Sequence, residues 1–335
     1  MQRSSMLAET ADRRADTGEP LNAEAGEGAF AHLVTPSELR FVRNHFPVPM
    51  LGEEHRLELG GAVAQPLRLS MLQLRALPAS TLTVVTECAG NGRASLVPRV
   101  EGEQWRGRAV GTAQWTGAPL QSVLERAGLL ENAIELVFTG ADTGAYQRSL
   151  PLEAALDPST LLAWEMNGAP IPARFGGPLR LVVPGWYGMA SVKWLAKVEA
   201  VERPFAGQFQ AKKYLYAPGA PVTKIRIKSM FTSVPAELRA GVPARISGLA
   251  WGGEGVARVQ VFAAARWHEA RLVGPALPHA WRRFELVWTP PPERGRYLLR
   301  CRATSACGEA QPEEPQWNEG GYGVNGVQRL GVLVR

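Results

Sequence analysis

Cysteine is scarce. Three cysteines in 335 residues cannot form a fully paired disulfide framework, and Cys301 and Cys307 could meet only through a tight loop. No Cys-x-x-Cys pair and no histidine cluster at zinc spacing occurs, so a reducing compartment is expected. Long apolar runs are also missing, and none approaches the ~20 residues that span a bilayer. Residues 1–27 are polar, charged and rich in Ala, Glu and Gly, and no apolar run follows Arg13-Arg14. Neither a Sec nor a twin-arginine leader is therefore expected, and the location expected is cytoplasmic, or periplasmic if a leader has been removed. There is no basic stripe with interleaved aromatics, which excludes a nucleic-acid partner. There is no phosphate-loop or dinucleotide glycine fingerprint and no βαβ period, which argues against a doubly wound sheet and for an α+β fold.

What is present describes an ordinary globular protein, 45% hydrophobic and 20% charged. The formal charge of +6 comes mostly from scattered arginines. It suits an anionic substrate, although a general bias toward arginine also contributes. The length exceeds what one core usually supports, so two domains are expected. Residues 1–34 read as an extended arm. Residues 57–61 and 67–69 alternate as short strands, and Ser70 is placed to cap a brief helix starting at Met71. Residues 120–127 have helical spacing and end at Gly128, a candidate αL cap. Residues 134–138 and 179–183 read as strands. After a Pro/Gly-rich junction at 214–221, the runs 244–249, 257–263, 284–288 and 297–303 are short and turn-separated, as in a β-sandwich of immunoglobulin type without a core disulfide.

The stretch Thr83-Val84-Val85-Thr86-Glu87-Cys88-Ala89-Gly90-Asn91-Gly92-Arg93 carries the most chemistry. A β-branched run ends in a cysteine and a Gly-Asn-Gly turn follows, which puts one thiol at the edge of a buried strand, facing a cleft. Small residues let the backbone fold back so that N–H groups can meet an anion. Arg93 brings a positive charge that favours the thiolate. Taken alone, the stretch also fits a buried structural cysteine.

The chain resembles the molybdenum-dependent sulfite oxidase family, in which a strand precedes Cys-Ala-Gly-Asn-Arg-Arg. The likeness extends to Phe41-Val42-Arg43-Asn44-His45-Phe46-Pro47-Val48-Pro49, Gly111-Thr112-Ala113-Gln114-Trp115-Thr116-Gly117-Ala118-Pro119-Leu120 and Leu162-Ala163-Trp164-Glu165-Met166-Asn167-Gly168. It continues through Pro178-Leu179-Arg180-Leu181-Val182-Val183-Pro184-Gly185, Ser191-Val192-Lys193-Trp194-Leu195 and Pro315-Gln316-Trp317-Asn318. The resemblance implies a molybdopterin-binding catalytic domain over 35–216 and an immunoglobulin-like dimerisation domain over 222–335. It also implies a homodimer.

By the same resemblance Cys88 binds molybdenum, and a soft thiolate suits a redox-active metal. Arg43, Asn44, His45, Asp142, Arg180, Ser191 and Lys193 match cofactor contacts; Arg and Lys suit the pterin's phosphate. Arg43, Arg93 and an arginine from Trp281-Arg282-Arg283-Phe284 match three substrate arginines, with Arg282 preferred to Arg283. Trp105 and Tyr214 match the remaining pocket positions. Considered one at a time, His45 is equally a satisfied loop histidine, Lys193 a solvated edge residue, and the pocket arginines and aromatics surface or packing groups. Gly92 stands where the family has Arg, which removes a charge near the turn, and Phe175 stands near a position where some relatives have a cofactor-contacting histidine.

The implied activity is oxidation of sulfite to sulfate on a molybdenum–molybdopterin cofactor, with electrons passed to an external acceptor such as a cytochrome. No haem is expected, because no segment carries axial histidines and the chain has five histidines in all. Rival readings are a nitrate or sulfoxide reductase on the same cofactor, or a cofactor-free interaction protein.

Overall fold

Alternating burial shapes the inner strand of the first large sheet in the computed structural model, which describes residues 20–26 and 28–335. In strand Arg56–Gly61, Leu57 and Leu59 turn inward while Glu58 is exposed. This strand pairs antiparallel with Leu67–Ser70 and parallel with Leu195–Val201. Glu135–Gly140 and Gln147–Pro151 complete a five-stranded sheet. Ser70 ends its strand and opens helix Met71–Arg75 with a capping box: its side chain accepts from the Gln73 N–H, and the Gln73 side chain accepts from the Ser70 N–H. Helix Leu120–Ala127 buries Leu120, Val123, Leu124 and Ala127 and stops at Gly128, which is left-handed at φ 67°.

A second five-stranded sheet combines Ser80–Glu87, Val110–Pro119, Leu161–Met166, Ala169–Pro170 and Arg180–Val182. Its strand Ser80–Glu87 ends immediately before Cys88, as the β-branched run predicts. Strands dominate throughout, and the longest α-helix among the described residues has eight residues. No helix among them is long and apolar enough to cross a membrane.

Residues from 228 onward are β-rich. An eight-strand path runs Lys228–Ser233, Ala244–Trp251, Arg282–Trp288, Arg266–Val273, Val256–Ala263, Gly295–Ser305, Gln328–Val334 and Glu237–Leu238. It encloses a core that includes Ile246, Val259, Val261, Phe284, Leu299 and Cys301. The four runs expected to be strands all lie within it. The junction at 214–221 is itself structured, as a two-stranded hairpin of Leu215–Ala217 and Ala220–Pro221. The main core crosses that junction, because Val222, Ile225, Leu249, Trp251 and Trp281 join the cluster that holds Leu57, Val85 and Leu181.

The expected arm over 1–34 lies partly outside the described residues, at 1–19 and 27. Its described part does not project as an arm. Asn22–Ala23 pairs with Val42–Arg43, the Ala25 N–H donates to the Arg108 carbonyl at 3.0 Å, and Ala25 and Ala29 pack with Phe41 and Trp105. The apolar side chains at 25, 29 and 30 supply the reason, since they cover a face that Trp105 would otherwise expose.

Candidate functional site

Two connected hollows meet at the C-terminal end of strand Ser80–Glu87. An inner recess of about 80 Å³ is lined by residues that include Arg40, Asn44, Asp142, Arg180, Ser191 and Lys193. An outer chamber of about 780 Å³ is bounded by Arg93, Glu103, Lys212, Lys213, Glu319 and Tyr322, among others. Arg43, His45, Cys88 and Tyr214 border both. Cys88 therefore stands at the neck.

The recess is crowded with cations. Lys193 Nζ donates to the carbonyls of Arg43 at 3.1 Å and Arg174 at 2.9 Å, and to Asn44 Oδ1. Burial, with Arg180, Arg43 and Arg40 as neighbours, holds the Lys193 ammonium well below its ordinary pKa. Arg180 donates to the Phe175 carbonyl at 2.8 Å, and burial lowers its pKa to about 10. Phe175 itself is buried and lines the recess. Arg40, which the motif matching did not single out, is 5% exposed. Its pKa falls to about 9 through burial and the nearby Arg180. The two guanidiniums flank the Trp115 indole, at 5.7 Å for Arg40 and 5.0 Å for Arg180. The available signal was an arginine three residues before Arg43, which a spacing argument could not distinguish from a surface residue.

Among the described residues Asp142 is the only acid lining the recess, and its Oδ1 is occupied by its own loop, accepting from the N–H groups of Gly144 and Tyr146 at 3.2 and 3.1 Å. Ser191 Oγ accepts from the Val183 N–H at 3.1 Å, which fixes the loop that carries Lys193. Asn44 is anchored by Asn22, whose Oδ1 accepts from the Asn44 N–H at 2.9 Å and from Arg43 Nη1 at 3.3 Å. On residues lining this recess, three buried atoms have no partner among the described residues: Arg40 Nη1, Asn44 Nδ2 and Arg180 Nε. All three are donors. A wall of orphaned donors and mutually repelling cations calls for an anion with several acceptor oxygens, as a phosphate-bearing cofactor provides.

His45 stacks on Tyr146 at 5.1 Å and meets Phe209 edge-on at 5.0 Å. Its Nε2 bonds the Tyr214 hydroxyl at 2.9 Å. Burial, reinforced by Arg43, Lys213 and Lys193, drops its pKa to about 3, so the ring is neutral and accepts the phenol's proton donation. Tyr214 in turn stacks on Tyr322 at 5.0 Å.

Cys88 is partly buried and free. Burial raises its thiol pKa and outweighs the opposing influence of Arg43, the Gly90 N–H, Arg93 and Trp105. Arg93 does favour the thiolate, as expected, but less than Arg43 does, and desolvation prevails over both. Trp105 is buried beside Cys88, with its indole N–H on the side of the sulfur. Arg93 borders the chamber, but its guanidinium is largely engaged. It donates from Nε and Nη2 to the Gly320 carbonyl at 3.2 and 2.9 Å, and from Nη1 to the Glu103 carbonyl at 2.9 Å.

Arg282 is not brought to this site. It begins strand Arg282–Trp288, pairs in register with Ala250 and lines neither hollow. Arg283 turns away as well, to the Ala31 carbonyl. The alternation of a β-strand sends successive side chains to opposite faces, and neither face of this strand opens on the chamber. From the β-rich region the chamber receives Glu319, Gly320 and Tyr322 instead, residues just beyond the Trp317-Asn318 pair.

Among the described residues no three His, Cys, Asp or Glu side chains converge to hold a metal. A metal at the neck would find the Cys88 thiolate as a soft ligand and would need further ligands from its own organic cofactor. The donor set fits such a group.

Comparison with known proteins agrees with this geometry. Residues 45–209 match the model of the oxidoreductase molybdopterin binding domain. The chain is 35% identical to the mitochondrial sulfite oxidase of Mus musculus over 96% of its length, and it spans about 65% of that protein. It is 35% identical to the sulfite oxidase of Gallus gallus, covering 91% of this chain and 74% of that one. Among solved structures it superposes on the sulfane dehydrogenase SoxCD from Paracoccus pantotrophus with a TM-score of 0.80 at 32% identity, over 89% of this chain and 80% of that one.

Proposed function

Since the chain belongs to the sulfite oxidase family of molybdopterin-binding oxidoreductases, we propose that it oxidises sulfite to sulfate and passes two electrons to an external acceptor. The observation that carries this reading is a cation-rich recess with three orphaned buried donors, opening at a single cysteine. Arg40, Asn44, Arg180 and Lys193 would hold the anionic tail of a molybdopterin, and Cys88 would ligate its metal. When bound, that cofactor supplies the oxygen-atom transfer and two-electron chemistry.

The chain's own residues do the rest. Arg43 stands at the neck, where a small oxyanion meets Cys88, and offers a planar fork of donors. The stacked Tyr214–Tyr322 pair excludes water from the approach, whereas Trp105 lines neither hollow and backs Cys88 from within an apolar cluster. Tyr214, held by neutral His45, keeps its hydroxyl at the neck. The raised thiol pKa of Cys88 means that metal ligation releases a proton. The β-rich residues 222–335 are read as an immunoglobulin-like domain.

A second reading, oxidation of sulfane sulfur, is favoured by the size and mixed lining of the chamber. About 780 Å³ bordered by Glu101, Glu103 and Glu319 as well as cations exceeds what sulfite alone needs.

The test combines metal analysis with turnover. Purified protein is expected to carry stoichiometric molybdenum and to reduce an artificial electron carrier with sulfite. Cys88→Ser should fold but lose turnover, because a serine hydroxyl stays protonated and is a poor soft donor. Near-parental turnover by that variant would remove Cys88 as the ligand, and turnover with a sulfane substrate alone would select the second reading.

A further inference from the structure

The strand that ends at Cys88 is gripped from outside its own sheet. Glu87, the residue before the cysteine, is 1% exposed, and both of its carboxylate oxygens are engaged. Oε1 accepts from Asn91 Nδ2 at 2.8 Å and from Lys228 Nζ at 3.2 Å, and Oε2 accepts from Trp251 Nε1 at 2.8 Å. A buried carboxylate is tolerated only while such donors hold it, so its position is tightly determined. Lys228 and Trp251 face each other as a cross-strand pair of the eight-strand path. One rung of that sheet therefore delivers an ammonium and an indole N–H to a single carboxylate in another sheet.

The grip extends around the turn. Lys228 Nζ also donates to the Asn91 carbonyl at 3.3 Å. Asn91 Oδ1 accepts from the Ala109 N–H at 2.9 Å, and the Asn91 N–H donates to the Cys88 carbonyl at 2.9 Å. The Gly323 N–H donates to the Ala89 carbonyl at 2.8 Å. Gly92 sits at φ +93°, and a Cβ there would lie 3.1 Å from Val324 Cγ1 and 3.5 Å from Lys228 Nζ. The positive φ and the close Val324 methyl, not the lysine, are what call for glycine here. These bonds fix the main chain on both sides of Cys88 and leave its sulfur free.

We propose that Glu87, Lys228 and Trp251 are positioning residues through which one rung of the C-terminal sheet sets how far the Cys88 sulfur reaches into the neck of the cavity. For its catalytic consequence the inference rests on Cys88 being the metal ligand, whereas its first test does not.

Lys228 is the most accessible of the three, its side chain 12% exposed, which makes Lys228→Met the variant of choice. The full-length chain is used without cofactor and with Cys307→Ser, so that Cys88 reports alone while Cys301 stays fully buried. Alkylation of Cys88 by iodoacetamide should accelerate about fivefold or more in Lys228→Met, because the turn opens locally. Lys228→Arg should restore the parental rate. Lys224→Met, which loses only an exposed ion pair to Glu254, should leave the rate unchanged. In the loaded enzyme Lys228→Met should lower kcat for sulfite while KM stays put, because the substrate-binding groups are untouched. If Lys228→Met does not fold, Trp251→Phe is judged by the same alkylation criterion. A parental alkylation rate in the variant, accompanied by a lowered Tm, would overturn the proposal and leave the trio as interface glue. Faster alkylation in a protein that never binds molybdenum would uphold the positioning role and refute the metal reading separately.

Discussion

Arg40, Arg43, Arg180 and Lys193 are held together against their mutual repulsion, and Asp142, an acid that also lines the recess, is occupied with its own loop. Without an anion this cluster opposes folding; with one it supplies affinity. Arg40→Met should therefore leave the Tm of the cofactor-free protein unchanged or higher, since a buried cation is removed. The same change should weaken cofactor retention roughly tenfold or more, at about 1.5–3 kcal/mol for a charged hydrogen bond. Thermal melts of the unloaded protein and pterin content after dialysis measure the two halves. A large loss of Tm would show that Arg40 is structural.

His45 makes a pH prediction at the same scale. Its folded pKa of about 3 lies below the ordinary 6.5, so between those values the unfolded chain binds a proton that the folded one does not. Its contribution to stability is complete above pH 6.5 and is lost as pH falls toward 3. The unloaded parent should therefore lose stability more steeply across this window than His45→Asn does, as read by urea midpoints from pH 7 to pH 4. Parallel curves would refute the neutral buried ring.

At the scale of elements, local grammar was legible where it rests on local physics. Ser70 followed by an apolar helix start reads as a cap, and the capping box forms. Ser70→Ala should cost about 1 kcal/mol, checked by urea denaturation, and an unchanged midpoint would count against the cap. The strand before Cys88 and the αL stop at Gly128 were equally readable. Strand Arg266–Val273 was not, because its Arg266, His268, Glu269 and Arg271 give it the composition of a loop. Its place is decided by pairing with neighbours on both sides, which sequence pattern does not display. Arg282 was misplaced for a related reason. A match of residue types carries no register, and register decides which face of a strand an arginine occupies. Arg40 was missed because its burial depends on Arg180 and Trp115, both distant in sequence.

At the scale of the molecule, the boundary expected near residue 222 marks a change of sheet, and beyond it the C-terminal sheet has a core of its own, but the largest core runs across it. Val222, Ile225, Leu249, Trp251 and Trp281 are part of the same buried cluster as Leu57 and Leu181. Polar ties add to it: the Val85 N–H donates to the His279 carbonyl at 2.8 Å, Arg93 reaches the Gly320 carbonyl, and Trp317 Nε1 donates to the Pro98 carbonyl at 3.0 Å. Unfolding either part alone would bare indoles now almost wholly buried, Trp251 at 1% and Trp281 at 0% exposure, together with the Glu87 carboxylate. Burying a large apolar side chain is worth about 1.5–3 kcal/mol, and an unpaired buried charge adds further cost on the same side. The N-terminal sheets and the C-terminal β-rich region should consequently melt together. Calorimetry of the full chain is expected to show one transition whose calorimetric and van't Hoff enthalpies agree. Two separated transitions would mean that the shared core contributes less than the two regions' own cores, and the Cys88 turn would then lose its outer support before the sheet that carries it unfolds.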